Sequence, residues 1–156
     1  ALAMAEYAKD NEHHISIYFH DTDGTRNELL DNPSRQEDIV DAISFGFGAT
    51  EDAPPGIAMV PKPTSEAWLI CAVKDNPYQH CGQLETNLSG NDRSPDRAPK
   101  KVLGIALNNP KYTKNDLSGL VQEIDISKIS MPSFDQFKQD IETAILQLCG
   151  TIKGKQ

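Results

Sequence analysis

The sequence predicts an α/β domain in which helices cover a mostly parallel sheet. Two short runs, His14–His20 and Gly56–Val60, are rich in apolar residues and end at turn or proline signals, which is typical of strands. The first run is apolar at nearly every position, as in strands that are buried on both faces of a parallel sheet. Helical patterns lie before, between and after the two runs, and 156 residues suffice for one hydrophobic core.

Three helices are predicted in the first half of the chain. The alanine-rich stretch Ala1–Asp10 has helical spacing and does not open at a methionine, so we expect the true N terminus to lie upstream. After the first strand, Ser34 and Glu37 have the spacing of a capping box, and apolar residues at positions 39, 43 and 47 form one helical stripe. Thr64 or Ser65 caps the third helix, which is largely apolar from position 67 to 73.

The second half of the chain is predicted to be helical outside its loops. A proline suited to a first helical turn starts a helix at Pro99–Asn108, and a further helix covers about Leu117–Ile124. The last helix has the clearest signals, because Ser133 is a capping residue, apolar residues follow at helical spacing, and Gly150 ends the pattern.

We expect a single domain over residues 1–150 and a tail at 151–156. Residues 76–97 are polar and punctuated by glycine and proline, which predicts an irregular and flexible insertion. Two strands alone bury too little surface to form a stable sheet. The missing strands either lie in segments predicted as coil or precede the first residue, and we favour the second interpretation.

Composition and charge restrict the function classes. The net charge of −8 argues against a broad basic surface for nucleic acid, although bound metal ions can supply positive charge at a reacting phosphate. No stretch approaches the ~20 apolar residues of a membrane helix, and no secretory signal opens the chain. Three cysteines without metal-finger spacing predict reduced thiols and a cytoplasmic location.

The motif Asp21-Thr-Asp23-Gly24 follows the first strand directly. Residues two apart in extended backbone project to the same side, so both carboxylates can face one ion at the carboxyl end of a strand, where α/β sheets bind ligands. Such hard oxygen ligands suit Mg²⁺ or Mn²⁺. The alternative interpretation is a simple turn, since aspartate and glycine are favoured in turns.

Glu66 occupies a similar place after the second strand, in the first turn of a helix. It is a candidate metal ligand together with Asp21 and Asp23. The alternative role is a favourable interaction with the helix dipole, worth ~0.3–1 kcal/mol.

Taken together, these segments resemble a known family. Asp21-Thr-Asp23 after a hydrophobic strand is similar to the Asp-x-Asp motif of Toprim domains, and Ser-Glu66-Ala-Trp68-Leu-Ile resembles the Glu-aromatic-Leu box of an uncharacterised Toprim-like group and of its RloB-like relatives in bacterial phage-defence loci. Three later segments resemble the group's C-terminal signatures: Ala98-Pro-Lys100-Lys101-Val-Leu, Lys111-Tyr112-Thr-Lys114 and Pro132-Ser-Phe134-x-x-Phe137.

The resemblance implies a three-layer α/β Toprim-like fold and a metal-dependent nuclease. It implies metal-binding roles for Asp21 and Asp23, an acidic site role for Glu66, and a basic group near the phosphate at Lys114. Toprim domains begin with a strand that ends in a catalytic glutamate, and this chain lacks that strand, so we expect the strand to precede the first residue.

Four further residues are candidates for substrate binding: His20, Arg97, Lys100 and Lys101. His20 adjoins Asp21 and can contact a phosphate, or it is a hydrogen-bonded structural residue. The basic residues can contact a nucleic-acid backbone, or they belong to a solvated loop and helix start. Trp68 is expected in the core.

The favoured function is therefore Mg²⁺- or Mn²⁺-dependent cleavage of phosphodiester bonds in DNA or RNA. Two alternatives stay open. One is a non-catalytic interaction subunit that docks an ATPase or another effector protein through its acidic surface. The other is a metal-dependent enzyme acting on small phosphates.

Overall fold

The computed structural model describes residues 1–12, 14–22, 35–90 and 94–153. The architecture is mixed α/β and mostly helical, with one small parallel sheet. The described residues fall into two compact units, one within 1–20, 31–60 and 136–156 and the other within 21–30 and 61–135. The elements in chain order are α1 (Leu2–Asp10), β1 (Ser16–Phe19), α2 (Arg35–Gly48), β2 (Gly56–Met59), α3 (Glu66–Val73), α4 (Leu84–Asn87), α5 (Pro99–Ala106), α6 (Lys114–Glu123) and α7 (Pro132–Lys153).

The first unit contains the sheet. β1 and β2 pair in parallel with Ser16 opposite Gly56, which confirms both predicted strands in shortened form. Parallel pairing requires a crossover connection, and α2 lies in that connection. The prediction that the first strand is buried on both faces is wrong for the described residues, because Ile17 and Phe19 are 44% and 48% exposed. Within the described residues β1 has β2 as its one partner strand, and burial alternates along it, with Ser16 and Tyr18 more buried than Ile17 and Phe19.

The core of the first unit lies where α2 packs on β2. Phe47 and Ile43, on one face of α2, are buried together with Ala58 and Val60, as the predicted apolar stripe of this helix requires. A side chain at Gly56 would collide with the ring of Phe47, since an added Cβ would lie 2.0 Å from its Cγ atom. The capping role predicted for Ser34 lies outside the described residues.

The core of the second unit is built around α3. This helix is apolar on several sides, with Ala67, Trp68, Ile70 and Cys71 buried, and it packs against α5. The ring of Trp68 meets that of Phe134 edge to face at 4.8 Å between centroids, which is a favourable aromatic geometry. The core role predicted for Trp68 is confirmed.

A buried polar network connects three of these elements. The Trp68 indole Nε1 donates to Ser133 Oγ at 2.8 Å, and Ser133 Oγ donates to Glu85 Oε1 at 2.6 Å. Glu85 Oε1 also accepts from the Ser133 backbone N–H at 2.8 Å. Because indole can only donate, the hydroxyl proton of Ser133 must point at the carboxylate. Ser133 therefore does not cap its own helix as predicted; Glu85 satisfies an N–H in the first turn of α7 instead.

The chain between positions 76 and 97 differs from its predicted irregular form. It contains 3₁₀ turns at Cys81–Gln83 and Pro95–Arg97 with α4 between them. Cys81 and Glu85 are buried, so apolar and polar core contacts order local structure that the composition does not indicate. The flexibility predicted for this segment stays a prediction.

Two further expectations need correction. Cys71 and Cys81 form a disulfide, so the prediction of three reduced thiols is wrong; Cys149 is a free, exposed cysteine. Backbone with positive φ at Tyr78 and His80 accompanies the return of the chain from the end of α3, and this turn geometry is not evident from cysteine spacing.

The last helix continues through Gly150 to Lys153, since one glycine costs a helix only about 1 kcal/mol. The tail predicted at 151–156 is therefore helical at its start.

Candidate functional site

The residues that follow β1 are held against the loop before α3. Asp21 Oδ1 accepts a hydrogen bond from the Ser65 backbone N–H at 2.9 Å. Thr22, which is buried, donates from its N–H to Pro61 O at 3.2 Å and from Oγ1 to Pro63 O at 3.1 Å. The Asp21 carboxylate therefore lies at the N terminus of α3.

This contact gives Asp21 a structural role beside any chemical one. Ser65 is the N-cap residue of α3, and its own side chain makes no capping hydrogen bond. The Asp21 carboxylate satisfies a backbone donor at this end of the helix, where a negative charge also interacts favourably with the helix dipole. Glu66 is the next residue along the chain and the first of the helix. Two carboxylates are thus gathered at one helix end.

Beyond this end, α3, α5, α6 and the loop between α5 and α6 line an open cavity of about 640 Å³. We call it the lysine cavity after its three lysines. The lining residues are Glu66, Lys100, Lys101, Ile105, Pro110, Tyr112, Thr113, Lys114 and Leu117.

Local structure explains why the far wall of the lysine cavity is well defined. α5 and the following loop approach closely at Gly104, where an added Cβ would lie 3.0 Å from Pro110 Cα. Thr113 then caps α6 through a complete capping box with Asp116, which fixes the first turn that carries Lys114. The hydrogen bonds from Thr113 hold the pKa of Asp116 below its usual value. Sequence reasoning placed the start of this helix three residues too late.

The three lysines that line the cavity differ in whether they form an ion pair. Lys101 Nζ lies 2.8 Å from Asp96 Oδ1 in an exposed ion pair, and this contact lowers the pKa of Asp96. Lys100 and Lys114 form no ion pair with any residue that the structure describes. Glu66 is the only carboxylate among the lining residues. The cavity therefore offers two uncommitted cations in a chain of net charge −8.

Tyr112 reports on the environment of this site. Burial raises the pKa of its phenol, and the Glu66 carboxylate raises it further. A higher pKa in the folded state means that the unfolded chain releases the proton first. This group therefore lowers the stability of the fold as the pH rises above the ordinary phenol value of 10.0.

We expect Tyr112 to ionise above its ordinary pKa of 10.0 in metal-free buffer. Its titration is obtained as the difference in tyrosinate absorbance between the wild type and Tyr112→Phe. Glu66→Gln is expected to lower this pKa, because the repulsion between carboxylate and phenolate is removed. An unchanged titration in Glu66→Gln would contradict the proximity of the two side chains.

The structure brings several of the predicted site residues together and separates others. Glu66, Lys100, Lys101 and Lys114 all line the lysine cavity, although they come from three different helices. Arg97 does not line it; its guanidinium is exposed and donates to Ser94 Oγ at 3.2 Å.

The remaining predicted residues are placed differently. His20 belongs to the first unit, where its backbone N–H donates to Met59 O at 3.0 Å. Asp23 lies outside the described residues. Within the described ranges, no group of three His, Cys, Asp or Glu side chains is arranged to hold a metal ion. Asp21 and Glu66 are hard oxygen donors of the type that Mg²⁺ and Mn²⁺ prefer, and a set of three carboxylates requires Asp23 as well.

Sequence reasoning missed the apolar wall of the cavity. Ile105 lies four residues after Lys101 on α5, and Leu117 lies three residues after Lys114 on α6. These spacings place each pair on one helix face, so a basic residue followed by an aliphatic one at helical spacing was the available signal.

Comparison of the chain with protein-family models, with characterised proteins and with solved structures finds no match. The Toprim-like resemblance therefore depends on the quoted motifs alone. None of the helices in the described part of the chain has the length and apolar character needed to cross a membrane.

Proposed function

We propose that this protein is a Toprim-like enzyme that hydrolyses phosphodiester bonds of DNA or RNA with Mg²⁺ or Mn²⁺. The observation that carries the proposal is the meeting of Glu66 with Lys100 and Lys114 in one cavity, at the helix end where Asp21 also lies. Carboxylates beside uncommitted cations suit a metal ion and a phosphate in adjacent positions. The three-layer Toprim arrangement is part of this proposal.

The carboxylates have the metal-binding role in the proposal. Asp21, Asp23 and Glu66 would hold the ion, with Glu66 also orienting the attacking water. A bound divalent ion supplies positive charge at the phosphate and lowers the pKa of that water. The Ser65 backbone N–H donates to one Asp21 oxygen, which limits the orientations that the carboxylate can adopt.

The lysines would bind the substrate. Lys114 stands at the first residue of α6, where the capping box holds its backbone, and would stabilise negative charge on the phosphate. Lys100 is exposed and free to follow the neighbouring phosphate. Lys101 is bound to Asp96, so its contribution requires that this exposed ion pair open, and solvent weakens such pairs.

One observation favours the non-catalytic alternative. The hydrogen bond between Asp21 and the start of α3 is what a purely structural carboxylate would make. An acidic subunit that docks an ATPase or another effector would need no metal at this position.

Metal binding separates the two functions. We expect Mg²⁺ or Mn²⁺ to raise the melting temperature of the wild-type chain, with a stabilisation of ~2.7 kcal/mol at a metal concentration one hundred times the dissociation constant. The rise should disappear in Asp21→Asn/Asp23→Asn. Asparagine at position 21 retains an oxygen that can accept from Ser65 N–H, so the variant removes charge and keeps the helix cap.

Asp41→Asn is the matched control for this experiment. Asp41 is an exposed aspartate on α2 in the first unit, so its neutralisation should leave the metal effect intact. Absence of any metal effect on the wild type at millimolar concentrations would contradict the proposed enzyme and favour the docking subunit.

A further inference from the structure

The lysine cavity has an apolar wall that phosphate binding does not explain. Ile105 is 64% exposed, and it lines the cavity together with Pro110, Leu117 and the half-buried ring of Tyr112. A phosphate needs only donors and positive charge. An aromatic and aliphatic wall beside two uncommitted lysines suits a ligand that has both an anionic part and a flat apolar part.

The size and charge of the site favour one small anionic group over a broad contact with a duplex. A volume of about 640 Å³ is in the range of pockets that enclose one small molecule. Proteins that bind duplex DNA through its backbone neutralise several phosphates with lysine and arginine side chains. This cavity offers two free lysines in a chain of net charge −8, which is enough for one or two phosphates.

We propose that the lysine cavity binds one unpaired nucleotide of a single-stranded nucleic acid, with the base against Tyr112 and Ile105 and its phosphate on Lys100 and Lys114. The inference rests on the proposed function in one respect, since it identifies the substrate class of that same site. Every base has a π face, so an aromatic wall recognises an unstacked base without selecting its sequence. A paired base is stacked within its duplex and cannot reach such a wall.

Binding of short oligonucleotides in EDTA tests the inference apart from catalysis. Fluorescence anisotropy would compare a labelled single strand, its duplex and a single strand of the same length with abasic sites. We expect the intact single strand to bind at least about tenfold more tightly than the abasic strand, because one stacked base contributes on that order. The duplex should bind more weakly than the intact single strand.

Substitutions in the lysine cavity test which side chains bind the base and which bind the phosphate. Tyr112→Leu retains apolar volume but removes the π face, and it should weaken binding of the intact strand about tenfold while leaving the abasic strand unaffected. Tyr7→Leu, at an exposed tyrosine of the first unit, is the matched control. Ile105→Ser serves as a second wall variant. Ile105 is exposed, so we expect the fold to tolerate the change, and binding of the intact strand alone should weaken. Lys100→Gln/Lys114→Gln should weaken binding of both strands, whereas Lys111→Gln should not.

Several outcomes would overturn the inference. They are equal affinity for the intact and abasic strands, tighter binding of the duplex, or no binding of any probe. Base-dependent binding without metal-dependent cleavage would retain this inference and contradict the proposed enzyme. Cleavage that proceeds equally on duplex and single strands, with no effect of Tyr112→Leu, would retain the enzyme and overturn the inference.

Discussion

Glu66→Gln is expected to lower the rate of Mg²⁺- or Mn²⁺-dependent phosphodiester cleavage by about 10²-fold or more, the scale of losing one positioned acid–base group. The carboxylate lines the lysine cavity at the first residue of α3. Glutamine has nearly the same shape as glutamate, but it lacks the negative charge that would hold a cation. It also cannot accept a proton from the attacking water. Both losses are expected to slow the reaction at the phosphate.

The fold should tolerate this substitution. The side chain of Glu66 forms no hydrogen bond or ion pair with the residues that the structure describes. The expected loss in stability is therefore limited to its interaction with the helix dipole, ~0.3–1 kcal/mol. Thermal melting in EDTA measures this loss beside the rate of oligonucleotide cleavage. A variant that cleaves as fast as the wild type would remove Glu66 from the catalytic site.

Glu123→Gln provides the matched control. It makes the same chemical change at an exposed position near the end of α6, away from the lining of the lysine cavity. We expect its cleavage rate to remain within about twofold of the wild type, since an exposed charge is largely screened by solvent and salt. Equal losses in both variants would indicate a general effect of net charge.

Ser133→Ala is expected to lower the free energy of unfolding by about 2–4 kcal/mol. The hydroxyl both accepts from Trp68 and donates to Glu85, so its removal breaks two buried hydrogen bonds. Each buried polar group that loses its partner costs ~1–3 kcal/mol. The backbone N–H of Ser133 still donates to Glu85 in the variant, which limits the loss at the carboxylate.

Urea denaturation followed by the fluorescence of Trp68, the one tryptophan of the chain, measures this loss directly. Ser130→Ala is the control, because Ser130 is exposed and its hydroxyl has only a long contact of 3.5 Å to Asp135. We expect that variant to change stability by less than about 0.5 kcal/mol. Equal stabilities of Ser133→Ala and the wild type would mean that the network contributes nothing to the fold.

Much of the local structure was predictable because it depends on neighbours in the chain. The β-branched and aromatic run before Asp21 and the apolar stripe through Phe47 each report the face that an element buries. The structure has both strands in parallel, and a helix at each place where helical spacing was evident. Boundaries were less accurate where a cap formed by remote residues replaced a local one, as at Ser133.

The same distinction between local and long-range determinants applies to the candidate site. Residue type and position in the motifs determined which carboxylates and lysines were candidates, but nothing local indicated that Lys100 and Lys114 would share a cavity with Glu66. The same holds for the Cys71–Cys81 disulfide, which depends on how the chain turns after α3.

The sequence by itself therefore determined both strands and the longer helices, the net charge and the chemical identity of the candidate residues. Only the tertiary structure decided which of them meet. Asp21 contacts Ser65 across 44 residues, and Trp68 contacts Ser133 across 65. The physical reason is that periodicity records the polarity of each side chain within its own element. The partner of a buried polar group is chosen by packing between elements, where every donor and acceptor removed from water has to be satisfied.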